Sequence, residues 1–222
     1  MATNQGNVSS LRKTSLIAGV LYLLTFISIP TLALYKEVKS ANYLIGTGTN
    51  TSAIIGGLLE IIVALAGIAT AVVLFPVLKK QNKTMALGLV AARILEAGTI
   101  FVGVAFILSI VTLRQEGAGA EALGISHALV TLYHRIFLLG QSFMPAVCDL
   151  LLGILLYKSR LVPRVISVIG IVGAPILIVG YITVMFGIFG RLDLLPALSA
   201  VPVALFEFSL GIWLIVKGFH YK

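Results

Sequence analysis

The sequence predicts an all-α polytopic membrane protein, a bundle of six transmembrane helices with both termini in the cytoplasm. Its 222 residues are 59% hydrophobic and 11% charged, and the mean hydropathy is +1.09. Soluble domains, by comparison, carry about 25% charged residues. The apolar residues form six runs, each long enough to supply the roughly 20 residues that cross a bilayer. The predicted spans are residues 15–34, 53–78, 84–113, 127–157, 165–189 and 195–216.

The first half of the chain contains spans one to three. Residues 1–10 are small and polar, which predicts a disordered tail, and residues 11–222 then form a single transmembrane domain. The apolar run 15–34 is longer than the core of a signal peptide, about 7–15 residues, so we expect it to remain as span one. A Gly-, Thr- and Asn-rich loop, 36–52, leads to span two. The short basic turn 79–83 then makes spans two and three antiparallel neighbours.

The second half contains spans four to six. A Gly- and Ala-rich loop, 114–126, precedes span four, which is the most polar of the six. A second short basic turn, 158–164, leads into span five, and its Pro163 suits the first turn of a helix because the missing N–H costs nothing there. Span six contains Glu207 and ends at Lys217.

The distribution of basic residues predicts the orientation. Four lie in the loops on one side of the six spans, and ten lie on the other side, which carries both termini and both short turns. Basic loops stay in the cytoplasm, so we expect the termini there. The same reasoning explains the net charge of +8 without nucleic acid, and the partner that the composition predicts is the lipid bilayer. The ten are Arg12, Lys13, Lys79, Lys80, Lys83, Lys158, Arg160, Arg164, Lys217 and Lys222.

A guanidinium and a carboxylate lie in the middle of span three. Arg93 and Glu96 are three residues apart, so on a helix they share a face and can form an ion pair. Ionisable groups inside a bilayer are costly, and they usually face the bundle interior or a water-filled cavity. We therefore expect a polar centre at this level.

Five further residues are candidates for the polar centre. Counted at about 1.5 Å per residue, Glu207 lies near the middle of the bilayer, whereas Glu60, His134 and Arg135 lie nearer the outer edge. Gln141 joins them through the seven-residue spacing of His127, His134, Gln141 and Cys148, which predicts one polar stripe along span four. The adjacent stripe holds Arg135, Ser142 and Asp149, and we expect Asp149 to lie near the cytoplasmic interface and to reach a basic residue there.

The inventory of reactive residues argues against most enzyme chemistry. The single cysteine, Cys148, excludes an intrachain disulfide and a multi-cysteine metal site. His134 is the one histidine deep in a span, so paired haem ligands are not expected, and no His-x-x-x-His spacing supports zinc. Ser142 lacks the Gly-x-Ser-x-Gly context of a serine nucleophile, and no nucleotide-binding fingerprint occurs. We predict no catalytic residue, metal or cofactor.

Three stretches resemble a known family. They are the basic turn 79–83, the run Arg93-Ile94-Leu95-Glu96-Ala97, and Leu155-Leu156-Tyr157-Lys158-Ser159 leading to Val162-Pro163-Arg164. The likeness is to an uncharacterised bacterial multi-pass membrane family catalogued only as a domain of unknown function. The resemblance implies a bacterial inner-membrane protein of about this size, and it implies no substrate, reaction or site residue.

Three classes of function remain open from the sequence. The charged centre could bind or move a small solute, ion or proton, with His134 as a proton relay. Alternatively the protein is an assembly or sensing subunit, whose buried ion pairs only fix helix packing. The weakest alternative is an intramembrane enzyme acting on a lipid. A water-accessible cavity that reaches Arg93 and Glu96 would favour the first class, and a dry core with every charge paired would favour the second.

Overall fold

The computed structural model describes residues 2–191 and 193–220, with side chains from Ser10 onward. Within those ranges the fold is helical without a β-strand, and six helices are long and apolar enough to cross a membrane. The predicted fold class, an all-α multi-pass membrane protein, is therefore confirmed. The helices are α1 Ala2–Thr25, α2 Thr31–Leu34, α3 Thr51–Leu78, α4 Lys83–Gln115, α5 Leu123–Phe137, α6 Met144–Ser159, α7 Arg164–Met185 and α8 Leu194–Val216.

Four of the six spans are single helices, α3, α4, α7 and α8. The first span, Ser10–Leu34, joins α1 to the short α2 through a 3₁₀ turn, Phe26–Ser28. Pro30 precedes α2 and has no N–H for a continuous ladder, which explains the break. The disordered tail expected over residues 1–10 falls almost entirely on residues whose side chains lie outside the described part, so it stays a prediction.

The fourth span joins α5 and α6 through a π-helical turn, Leu138–Phe143. Pro145 is the second residue after this turn, and a proline ring clashes with the carbonyl four residues earlier, here that of Gln141. Widening the helix by one residue relieves this clash. Gly140 in this turn allows close contact with α4, because a Cβ there would collide with Thr99.

One end of the bundle collects the start of span one, the turn before α7 and the end of α8. Arg12 on α1 donates to the carbonyl of Leu214 on α8 at 3.2 Å, and the backbone N–H of His220 donates to the carbonyl of Leu161 at 2.7 Å. At the other end, Arg114 at the end of α4 donates to Asn50 at 3.3 Å and lies over the ring of Tyr43. Each end is thus tied together by one arginine.

Glycines let several helices approach closely. A Cβ at Gly19 on α1 would lie 2.7 Å from the carbonyl oxygen of Gly211 on α8, and a Cβ at Gly173 on α7 would lie 2.9 Å from the ring of Pro202. Van der Waals packing over small residues is the usual source of helix association in lipid. These contacts hold α8 between α1 and α7, and they position Glu207 inside the bundle.

The main hydrophobic core fills the half of the bundle next to the short turns. Its largest fully buried members include Leu74 on α3, Leu89 on α4, Leu152 on α6 and Phe206 on α8. A second cluster around Ile107, Ile110 and Tyr133 fills the opposite half. The polar centre described next lies between these two apolar regions.

Candidate functional site

Arg93 on α4 is the hub of a buried charge cluster. Its Nη1 donates to both carboxylate oxygens of Glu96, at 3.0 and 3.2 Å, and its Nη2 donates to Oε1 of Glu207 at 2.8 Å. Only 4% of the Arg93 side chain is exposed. The expected pairing of Arg93 with Glu96, and the expected proximity of Glu207, are both present in the structure.

Asp149 belongs to the same cluster, which corrects the expectation that it lies at the interface. Its carboxylate is fully buried, and its Oδ1 is 3.7 Å from Nη2 of Arg93. Two charged groups at that distance form an ion pair, but the distance exceeds the length of a normal hydrogen bond. Within the described residues, neither oxygen of Asp149 has a hydrogen-bond partner. One guanidinium therefore faces three carboxyl groups.

The cluster lies near the middle of the bilayer. Arg93, Asp149 and Glu207 are each about 14–15 Å from the end of their helix on the short-turn side, at 1.5 Å per residue. Half of the hydrocarbon thickness is also about 15 Å. Three separate helices therefore bring charged side chains to one level, where unpaired charge is most costly.

Two uncharged groups complete the surroundings of Arg93. The ring of Tyr22 on α1 lies 5.7 Å from the guanidinium carbon, within the range of a cation–π contact. The thiol of Cys148 donates to Oε2 of Glu96 at 3.5 Å. Cys148 is fully buried, so it is a contact of the cluster as well as a packing residue.

Glu60 on α3 forms a second polar cluster, nearer the opposite end. It accepts hydrogen bonds from Tyr35 Oη at 3.2 Å, Tyr133 Oη at 3.1 Å and Gln141 Nε2 at 3.3 Å. Only 1% of Glu60 is exposed. Glu60 and Gln141 were predicted from the sequence, whereas the two tyrosines were not. The available signal was that a buried tyrosine hydroxyl needs a partner.

The two remaining predicted residues contribute less. His134 is half-buried and lies edge-on to Tyr133, with ring centroids 5.8 Å apart. Arg135 is exposed, and it forms no ion pair within the described ranges. The structure thus separates the candidates into two clusters, one centred on Arg93 and one on Glu60, with Arg135 outside both.

The π turn explains why the predicted stripe along span four is wrong. In a regular α-helix Tyr133 and Asp149 would lie about 160° apart around the axis. The extra residue of the π turn removes about 100° of this rotation, so both side chains face the interior. His127 and Arg135, which the stripe places beside Gln141 and Asp149, are exposed instead.

Two cations lie in the loops next to the Glu60 cluster. The ammonium of Lys39 lies 4.2 Å from the centroid of the Tyr133 ring, and the guanidinium carbon of Arg191 lies 4.0 Å from that of Phe137. Burial, together with the charge of Arg191, lowers the pKa of Lys39 to about 8. Burial likewise lowers the pKa of Arg191. Both cations therefore lie against aromatic rings beside the Glu60 cluster.

A cavity of about 240 Å³ reaches the Arg93 cluster. Arg93, Glu96 and Glu207 line it, together with Thr25 and Ile29 of span one. A second cavity of about 350 Å³ contacts Glu207 from the side of Arg191 and has mostly apolar walls. Asp149 lines neither cavity.

A family model described as "Domain of unknown function (DUF4386)" matches residues 17–218. No curated protein and no solved structure matches the chain. Among the described residues, no group of three His, Cys, Asp or Glu side chains is arranged to hold a metal ion.

Proposed function

Because the chain belongs to the DUF4386 family, whose function is unknown, we propose an activity from the site itself: the protein binds a small cationic solute or ion at the middle of the membrane and moves it across. The observation that carries this proposal is the excess of acidic groups around Arg93, next to the cavity. Arg93 is shared among Glu96, Glu207 and Asp149, and two of these carboxylates line the cavity.

A carboxylate oxygen that the cluster leaves unused supports a cationic ligand. In the described part of the chain Glu207 accepts one hydrogen bond, through Oε1, so Oε2 is available to a ligand. Buried charge that lacks a partner is neutralised by a counter-charge or a proton. The volume of about 240 Å³ is below the 300–1,000 Å³ typical of drug-sized ligands, which favours a small ion or solute.

The two cavities differ as routes for a cation. Arg191 lines the larger cavity and would repel a cation on its way to Glu207. The smaller cavity is bounded by Thr25, Phe26, Ser28 and Ile29, which carry no charge. The proposed route therefore follows the end of span one.

A cluster that only fixed helix packing would be expected to balance its charges in a dry core. The acid excess and the adjoining cavity support ligand binding over this alternative. The Glu60 cluster fits the packing role better, because all three of its neighbours are neutral donors from α5, the π turn and the residue after α2.

The proposal is tested by uptake of labelled Na⁺, Rb⁺, guanidinium or tetramethylammonium into proteoliposomes. We expect saturable uptake of at least one cation by the wild-type protein, and loss of this uptake in Glu207→Gln. Glu116→Gln, a matched change of an exposed residue at the end of α4, should leave uptake unchanged. Absence of saturable uptake with all four cations would refute the proposal.

We also propose a bacterial inner-membrane location with both termini and both short turns in the cytoplasm. The basic residues near those segments support it. Since Cys148 is the single cysteine and is buried, added cysteines can report orientation. A membrane-impermeant maleimide applied to intact cells should label Thr47→Cys and should not label Gln81→Cys until the cells are opened. The reverse pattern would contradict the proposed orientation.

A further inference from the structure

Asp149 is the one buried carboxylate in the described residues whose two oxygens both lack a hydrogen-bond partner. The donors of Arg93 are directed at Glu96 and Glu207, and its closest nitrogen stays 3.7 Å from Asp149. An ionised carboxylate in this position would be a fully buried charge without a donor, which is among the most costly arrangements in a protein interior.

The groups around Asp149 add to this cost. The carboxyl group of Asp149 faces the phenol of Tyr22 on α1, Arg93 and Glu96 on α4, its own neighbour Cys148, and Glu207 on α8. Arg93 is the single cation of this set, and it already lies against two other carboxylates. Ionised Asp149 would therefore raise the excess negative charge at the middle of the bilayer.

No solute can reach Asp149 through either cavity, because Asp149 lines neither of them. It lies beyond Arg93, which does line the smaller cavity. Glu96 and Glu207 lie near Asp149 and also line the cavity, so a proton can pass through them once these side chains shift into hydrogen-bond contact. The geometry thus separates a cavity for a ligand from a buried acid accessible to a proton.

We propose that Asp149 binds a proton while Arg93 is paired with Glu96 and Glu207, and releases it when a cation in the cavity takes over those two carboxylates. Arg93 then breaks its hydrogen bond to Glu207 and forms one to the ionised Asp149. The proton passes through Glu96 or Glu207 to water in the cavity. One positive charge arrives and one leaves, so the charge of the cluster stays constant. This exchange rests on the proposed cation binding, whereas the presence of the proton on Asp149 does not.

The presence of a proton on Asp149 is tested first, by infrared spectroscopy of the reconstituted protein at neutral pH. A protonated carboxyl group has a carbonyl stretching band that an ionised one lacks. We expect such a band in the wild type and its loss in Asp149→Asn, while Asp193→Asn, a change of an exposed aspartate, retains it. Asparagine resembles the neutral carboxyl group in shape, so this variant should fold. An unchanged spectrum in Asp149→Asn would overturn the proton site.

The exchange is tested by trapping a pH-sensitive dye in proteoliposomes and adding the cation that the uptake assay identifies. The wild type should move protons against the cation, and Asp149→Asn should lose this proton signal while the purified variant still binds the cation. Cation uptake without proton movement would overturn the exchange and leave the proposed function standing. An infrared band from Asp149 without any cation uptake would refute the proposed function and leave the proton site standing.

Discussion

Replacing Arg93 with methionine removes the guanidinium from three carboxyl groups while keeping much of the apolar volume of the side chain. The lost contacts are three hydrogen bonds of 2.8–3.2 Å to Glu96 and Glu207 and the ion pair to Asp149. A hydrogen bond to a charged group contributes about 1.5–3 kcal/mol, so an upper bound is about 9 kcal/mol. Breaking a buried ion pair usually costs about 3–5 kcal/mol. Because water in the cavity can solvate Glu96 and Glu207, we expect a loss near the lower value, about 3 kcal/mol.

The assay is reversible unfolding in mixed micelles, titrated with a denaturing detergent. Arg135→Met is the matched control, because Arg135 is exposed and makes no ion pair within the described residues. It should change the free energy of unfolding by less than about 0.5 kcal/mol. Adding Glu96→Gln to the Arg93→Met variant should recover part of the loss, since it removes one uncompensated charge. A loss for Arg93→Met no larger than that of the control would refute the buried network.

Three further predictions concern other parts of the molecule. Tyr133→Phe removes one of the three hydrogen bonds to Glu60 and should lower the free energy of unfolding by about 1–2 kcal/mol. The same detergent titration measures this loss, and an unchanged free energy would count against that hydrogen bond. Lys39→Gln should stabilise the protein at neutral pH and lose this advantage as the pH rises from about 8 towards 10.5. The folded-state pKa of Lys39 is lowered to about 8, so in that window the unfolded chain binds more protons and wild-type stability rises with pH. Melting curves measured at several pH values would show this pH dependence. Lys36 is an exposed lysine of the same loop, so Lys36→Gln should give no such trend. Gly19→Val places a branched side chain against the backbone of α8 and should lower the melting temperature in detergent. An unchanged melting temperature would mean that α1 and α8 can separate without cost.

Much of the charged centre could be predicted from the chain because its spacing is local or periodic. Arg93 and Glu96 are three residues apart on a helix, which fixes their pairing wherever the helix lies. Glu207 could be matched to them by depth alone, since both helices cross the same thickness of bilayer. Neither rule requires knowledge of which helices are neighbours.

The rest depended on features that spacing does not reveal. The position of Asp149 follows from a one-residue widening next to Pro145, whereas the predicted stripe assumed a regular helix. Tyr35 and Tyr133 were missed because a tyrosine in an apolar run has the same sequence signature whether its hydroxyl binds a carboxylate or faces the interface. Arg135 was included because depth says nothing about direction around the helix axis, and the structure leaves it exposed.

The wide turn of span four also makes the length of this segment as important as its composition. If Ser142 were deleted, Leu138–Phe143 would lose its surplus residue and could close to ordinary helical geometry, while Tyr133 and Asp149 kept their relative direction around the axis. A residue deleted from the regular helix between Met144 and Asp149 is different, because everything beyond it would rotate by about 100° and shift by about 1.5 Å along the axis. Asp149 would then turn away from Arg93, although hardly any apolar character would be lost from the span. For this family member, a single-residue deletion at the start of α6 should therefore be more damaging than one in the wide turn.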